Sequence, residues 1–105
     1  MVHKDNLNNY IRGWLVGKFS PSILDRDNIE VGVKKYKAGD FEKSHYHKLS
    51  TEITIIVLGE VEMNNIKYIE NDIIFIEPGE STDFKCITDV ITLVLRDKSV
   101  INDKY

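Results

Sequence analysis

His45 and His47 stand one residue apart in the stretch SHYHKLSTE, and a carboxylate, Glu52, follows five positions after the second histidine. Imidazole and carboxylate both donate lone pairs to divalent transition metals, and imidazole exchanges protons near neutral pH. On a β-strand, positions i and i+2 project from the same face, so the two rings can reach one ion. Glu52 comes after the polar connection 48–51, where an antiparallel return brings it beside them. Two imidazoles and one carboxylate are an open ligand set known for Fe(II), and they also hold Zn, Mn, Ni or Co. The same residues without a metal offer a histidine general base positioned by Glu52. The plainest alternative is a solvated pair near a turn, with Glu52 paired to a lysine.

The elements that must carry these groups are strands. Alternation at period two dominates, and helical periodicity is scarce. The reading gives strands at 13–17, 29–37, 43–49, 53–58, 72–76, 82–87 and 91–95, broken by turn signals such as Ser20-Pro21, Ala38-Gly39-Asp40 and Glu77-Pro78-Gly79. Between them VEMNNIKYIE reads as a hairpin turning on Asn64-Asn65, since Asn tolerates the positive φ of a two-residue turn. Short strands at intervals of about ten residues predict an antiparallel sandwich or barrel. Crossover helices for a parallel sheet have no room. In 52–58 both parities are mostly apolar, so that strand needs cover on both faces, from the amino-terminal segment or from a second subunit. A homodimer is the expectation.

Spacing carries a resemblance. Gly39 precedes His45 by five intervening residues, four separate His47 from Glu52, and six separate Glu52 from Gly59. This resembles the first cupin motif, G(x)5HxH(x)3-4E(x)6G, at each fixed position. NDIIFIEPGEST is similar to the second motif, with Asn71 for its first glycine, Glu77 for its first proline, and Gly79 retained. The likeness covers residues 29–95 and is to single-domain, RmlC-like cupins, including small ones that carry PGESTDF and end in DKY. It implies an all-β, antiparallel jelly-roll barrel with little or no helix, often dimeric. It also implies a divalent metal held by His45, His47 and Glu52, and a small-molecule ligand. The family's final histidine falls at Thr82 here.

In 82–86 the alternation turns Asp83 and Lys85 outward, and Thr82, Phe84 and Cys86 inward. Thr82, Phe84 and Cys86 are therefore candidate pocket residues, with Tyr36 as a possible hydroxyl donor on the strand leading to the histidines. Cys86 is also the lone cysteine and reads more simply as a buried, inert thiol. Trp14 reads as core or interface packing. INDKY reads as a polar tail, or as a segment folding back over a barrel mouth.

The 105 residues predict one domain: an arm at 1–28, a barrel core at 29–96 and a tail at 97–105. A net charge of -3 gives no electrostatic case for nucleic acid or an anionic membrane as partner. No apolar run comes near the ~20 residues of a membrane span, and the amino terminus lacks a signal peptide's apolar core. With one cysteine there is no intrachain disulfide, which fits a reducing, cytoplasmic setting. Three functions follow from these residues: a metal-dependent enzyme on a small polar or sugar-like substrate, a metal-free isomerase or epimerase with a histidine base, and a ligand-binding protein without catalysis.

Overall fold

The computed structural model describes residues 1–100 and 102–105, and these form ten strands in two sheets. One sheet contains β1 (Trp14–Gly17), β2 (Leu24–Asp25), β3 (Glu30–Tyr36), β5 (Glu52–Leu58), β8 (Ile73–Ile76) and β10 (Val90–Arg96). Its order is β2-β1-β3-β10-β5-β8. The other contains β4 (Phe41–His45), β6 (Val61–Met63), β7 (Ile66–Tyr68) and β9 (Thr82–Cys86), in the order β4-β9-β6-β7. Two 3-10 turns, Leu7–Asn9 and Ile11–Gly13, precede β1. The architecture is the all-β double sheet that the alternation predicts. β2 departs from it, since this two-residue strand pairs with β1 in parallel.

The hairpin between β6 and β7 turns on Asn64 and Asn65, both at positive φ (50° and 65°). Asparagine carries that backbone with little strain because its short polar side chain tolerates the left-handed region. Gly32 is required for a different reason. A Cβ there would stand 2.6 Å from the indole of Trp14, which packs against β3 at that point.

The pleat sorts residues by face. Glu30, Gly32, Lys34 and Tyr36 of β3 turn inward, as do Val90, Thr92, Val94 and Arg96 of β10, and Glu52, Thr54 and Ile56 of β5. β10 pairs with both neighbours, so these residues form rows across the sheet. Arg96 lies opposite Glu30 and Glu52, Val94 opposite Gly32 and Thr54, and Thr92 opposite Lys34 and Ile56. One end of the barrel is therefore charged. The other is an apolar plug of Ile56, Val61, Cys86 and Val90, each no more than 1% exposed, with Met63, Ile74 and Phe84 packed against them. Each such aliphatic side chain contributes about 1.5–3 kcal/mol by leaving water.

The outer face of the same sheet carries the opposite parity. Val31, Leu95, Ile53 and Phe75 run across four adjacent strands in one row, and Val33, Leu93, Ile55 and Ile73 in the next. All eight are apolar. Ile73 and Phe75 remain 67% and 59% exposed.

Candidate functional site

The histidine stretch differs from a continuous strand. β4 ends at His45, and His47 lies in the loop that follows, so the pair does not share one regular strand face. The reason is that the loop's backbone has other partners. The Asp103 carboxylate accepts from the N–H groups of Lys48 (2.9 Å), Leu49 (3.1 Å) and Ser50 (3.1 Å). These donors are thereby withheld from any strand ladder. Tyr46 and Tyr105 exchange two backbone hydrogen bonds, and their rings stack with centroids 5.5 Å apart. Of the two readings of INDKY, the described residues 102–105 follow the fold-back; Ile101 lies outside the described residues.

This segment also orients His47. Its Nδ1 lies 2.6 Å from the main-chain carbonyl of Asp103. A carbonyl only accepts, so Nδ1 carries the proton and Nε2 is turned to the other side of the ring. There Nε2 is buried, without a hydrogen-bond partner, 3.6 Å from Oε1 of Glu52. His45 is set the same way: Nδ1 donates to the carbonyl of Lys43 at 3.0 Å. Its ring stands edge-on to that of His47, centroids 5.5 Å apart.

Glu52 belongs to a partly buried charge row that the sequence reading missed. Arg96 reaches Glu30 with Nη1 (2.8 Å) and Glu52 with Nε (3.2 Å), while Thr54 donates to Glu52 Oε2 at 3.0 Å. Burial opposes the charge of Glu52, but His47, Arg96 and the Thr54 hydroxyl outweigh it and hold the carboxyl down at about 2. Two carboxylates against one guanidinium leave one negative charge unbalanced, and a cation beside Nε2 of His47 would balance it. The missed signal was parity: Glu30 shares one face of β3 with Gly32, Lys34 and Tyr36, and Arg96 shares one face of β10 with Thr92, while Val31, Val33, Leu93 and Leu95 on the opposite face are all apolar.

These groups open on a cavity of about 420 Å³. Tyr36, Thr82 and Phe84 stand on its wall, with the rings of Tyr36 and Phe84 4.9 Å apart. Burial, with the charge of Glu42 added, pushes the Tyr36 phenol well above its usual range. Thr82 pairs with His45 across β4 and β9, and its hydroxyl bonds the carbonyl of Asp83 (2.8 Å). Cys86 requires a correction. It faces inward but packs in the apolar plug, two residues beyond Phe84, and does not reach the cavity. Burial, with Asp40 nearby, pushes its thiol up to about 11. Trp14 also differs from a plain core residue, lining the cavity between Lys34 Nζ (4.9 Å) and the Arg96 guanidinium (4.8 Å).

Among the described residues no three His, Cys, Asp or Glu side chains converge in a metal-holding arrangement. Two donors do approach it. Nε2 of His47 is bare, and its 3.6 Å separation from Glu52 Oε1 is close to that of two ligands on one ion with bonds near 2.1 Å. Nδ1 bonded to a carbonyl is the arrangement that readies a histidine for ligation.

No protein-family model and no curated protein matches the chain. Solved structures do. The DMSP lyase DddQ from Ruegeria pomeroyi aligns with a TM-score of 0.72 and 19% identity, over 88% of this chain and 48% of that one. The chain thus spans about half the length of that enzyme. A conserved protein with a double-stranded β-helix domain from Klebsiella pneumoniae aligns at 0.70 and 18%, over 98% of this chain and 94% of that one. A cupin-2 domain protein from Shewanella frigidimarina aligns at 0.62 and 14%, over 72% and 76%. The chain has the cupin, double-stranded β-helix fold. Among the described residues no helix is long and apolar enough to cross a membrane.

Proposed function

We propose that this cupin binds a small polar molecule in its barrel beside a divalent metal held by His45, His47 and Glu52. The observation that carries this reading is the bare, buried Nε2 of His47 beside Glu52, next to a charge row with one negative charge in excess. A metal there would supply Lewis acidity to a carbonyl or hydroxyl of the bound molecule. The chain's own residues do the rest. Asp103 fixes the tautomer of His47, Arg96 holds the Glu52 carboxylate, and Phe84 and Trp14 restrict water at the walls. The likeness to DddQ, a lyase, agrees with an enzymatic role. A single buried thiol suits a reducing, cytoplasmic compartment.

A second reading has its own support. Arg96 already occupies Glu52, and the Asp103 carbonyl holds Nδ1 of His47, so Nε2 can serve without metal as a base beside that carboxylate. Elemental analysis of protein purified without added metal separates the two. A stoichiometric divalent ion, lost in both His47→Ala and Glu52→Ala, supports the first. Absence of metal, with no rise in melting temperature on adding Zn, Mn, Ni or Fe(II), leaves the second.

The partner for the outer sheet face is a second copy. Its two apolar rows hold no charge, so the surface is complementary to itself, as a twofold contact requires. An apolar surface of this breadth, exposed on β8 and half-buried on the three strands beside it, is what a subunit interface covers.

A further inference from the structure

The cavity has an imbalance of its own in the row of Lys34 and Thr92, two rows along β10 from Arg96 and Glu52. Its carboxylates are already engaged: Glu52 with Arg96, Glu42 with Lys104 at 3.9 Å, and Glu80 with the backbone N–H of Glu77. Lys34 and Arg12 line the same cavity, and among the described residues neither makes an ion pair. The Lys34 ammonium donates to the carbonyl of Arg12, a neutral acceptor, and faces the Trp14 ring. Burial, with Arg12 beside it, pulls Lys34 down to about 8. Glu42 acts on Lys34 only from beyond ion-pair distance, and a half-buried ammonium with no carboxylate in contact is costly unless an anion joins it.

A second observation is independent of charge. Thr92 pairs directly with Lys34 across β10 and β3, is 1% exposed, and lines the cavity. Its Oγ1 is buried without any hydrogen-bond partner. Buried hydroxyls are nearly always satisfied, and this one has nothing of the protein to bond.

We infer that the cavity takes a small organic acid, its carboxylate received by the Lys34 ammonium and the Arg12 guanidinium with the Thr92 hydroxyl donating to it. The rest of the molecule extends toward His47 and Glu52. A carboxylate fits better than a phosphate ester because Glu42 and Glu52 also face the cavity, and a second negative charge would oppose them. The assignment rests on the cavity being a small-molecule site, and it names the substrate class of that site.

The experiment compares lactate with lactamide, which differ in charge and little in shape, by 1H–15N chemical-shift titration of chelator-treated protein. Lactate is expected to shift the amides of β3 and β10 and to bind about tenfold tighter than lactamide, the factor for one hydrogen bond to a charged group. Lys34→Met removes that preference, and Thr92→Val weakens lactate severalfold in a spectrum otherwise native. Equal affinities for the two probes, no shifts with lactate, or a preference that survives Lys34→Met would each overturn the inference. The metal reading stands or falls separately on metal content, which Lys34→Met leaves unchanged.

Discussion

The main-chain carbonyl of Asp103 holds Nδ1 of His47 at 2.6 Å, across 56 positions of sequence. The carboxylate of the same residue gathers the three N–H groups that follow His47. One aspartate thus sets both the ring and the loop that carries it. Burial opposes its charge, but those three donors hold its carboxyl below the usual range.

Asp103→Ala should therefore destabilise the protein by about 2 kcal/mol or more, since it leaves three loop donors to find water. That corresponds to a fall of roughly 10 °C in melting temperature for a domain of this size. Asp103→Asn, which keeps an acceptor oxygen, should lose less. Thermal unfolding followed by circular dichroism measures both.

Acid should remove the contribution of Glu52 in a defined window. Its carboxyl is held down at about 2, against 4.5 for a free glutamate. The stability it adds is fully present above 4.5 and is lost as the pH falls from there through about 2. The difference in melting temperature between the protein and Glu52→Gln should be constant from pH 7 to 5 and shrink below that. A difference independent of pH down to 3 contradicts the charge row.

Gly32→Ala should displace Trp14, because the new methyl would sit 2.6 Å from the indole. Overpacking of this kind destabilises by about 1–3 kcal/mol. Since the indole lies between Lys34 and Arg96, its fluorescence should change along with the melting temperature.

Ile73→Glu or Phe75→Glu should convert a dimer to monomer with the fold intact, because both residues are exposed in the single chain. Sedimentation equilibrium reads the mass. A mass unchanged by either variant removes the outer face as the interface.

The strands were legible because inward and outward residues differ in polarity along most of them. The Asn64-Asn65 turn was legible because two adjacent asparagines have few other uses. The spacing around His45, His47 and Glu52 marked the candidate site without fixing its geometry. The break after His45 was hidden, because the donors of 48–50 are claimed by a residue more than fifty positions away. Arg96 escaped notice for a related reason. An arginine at the end of a strand looks solvated until its two cross-strand neighbours are known to be Glu30 and Glu52. Cys86 was correctly turned inward, but parity says nothing of depth, and depth separates the plug from the cavity.

The charge row has a consequence for folding as well as chemistry. Directly beside Glu30, Arg96 and Glu52 in the sequence stand Val31, Leu95 and Ile53, which form the outer apolar row. A slip of one residue in the pairing of β10 would turn Arg96 onto that apolar surface and leave two carboxylates inside without their cation. The three charges therefore act as a register key, admitting one alignment of the central strands and penalising the adjacent ones. A substitution of Glu52 or Arg96 would therefore also loosen strand alignment, so the sheet and the proposed site are constrained to change together.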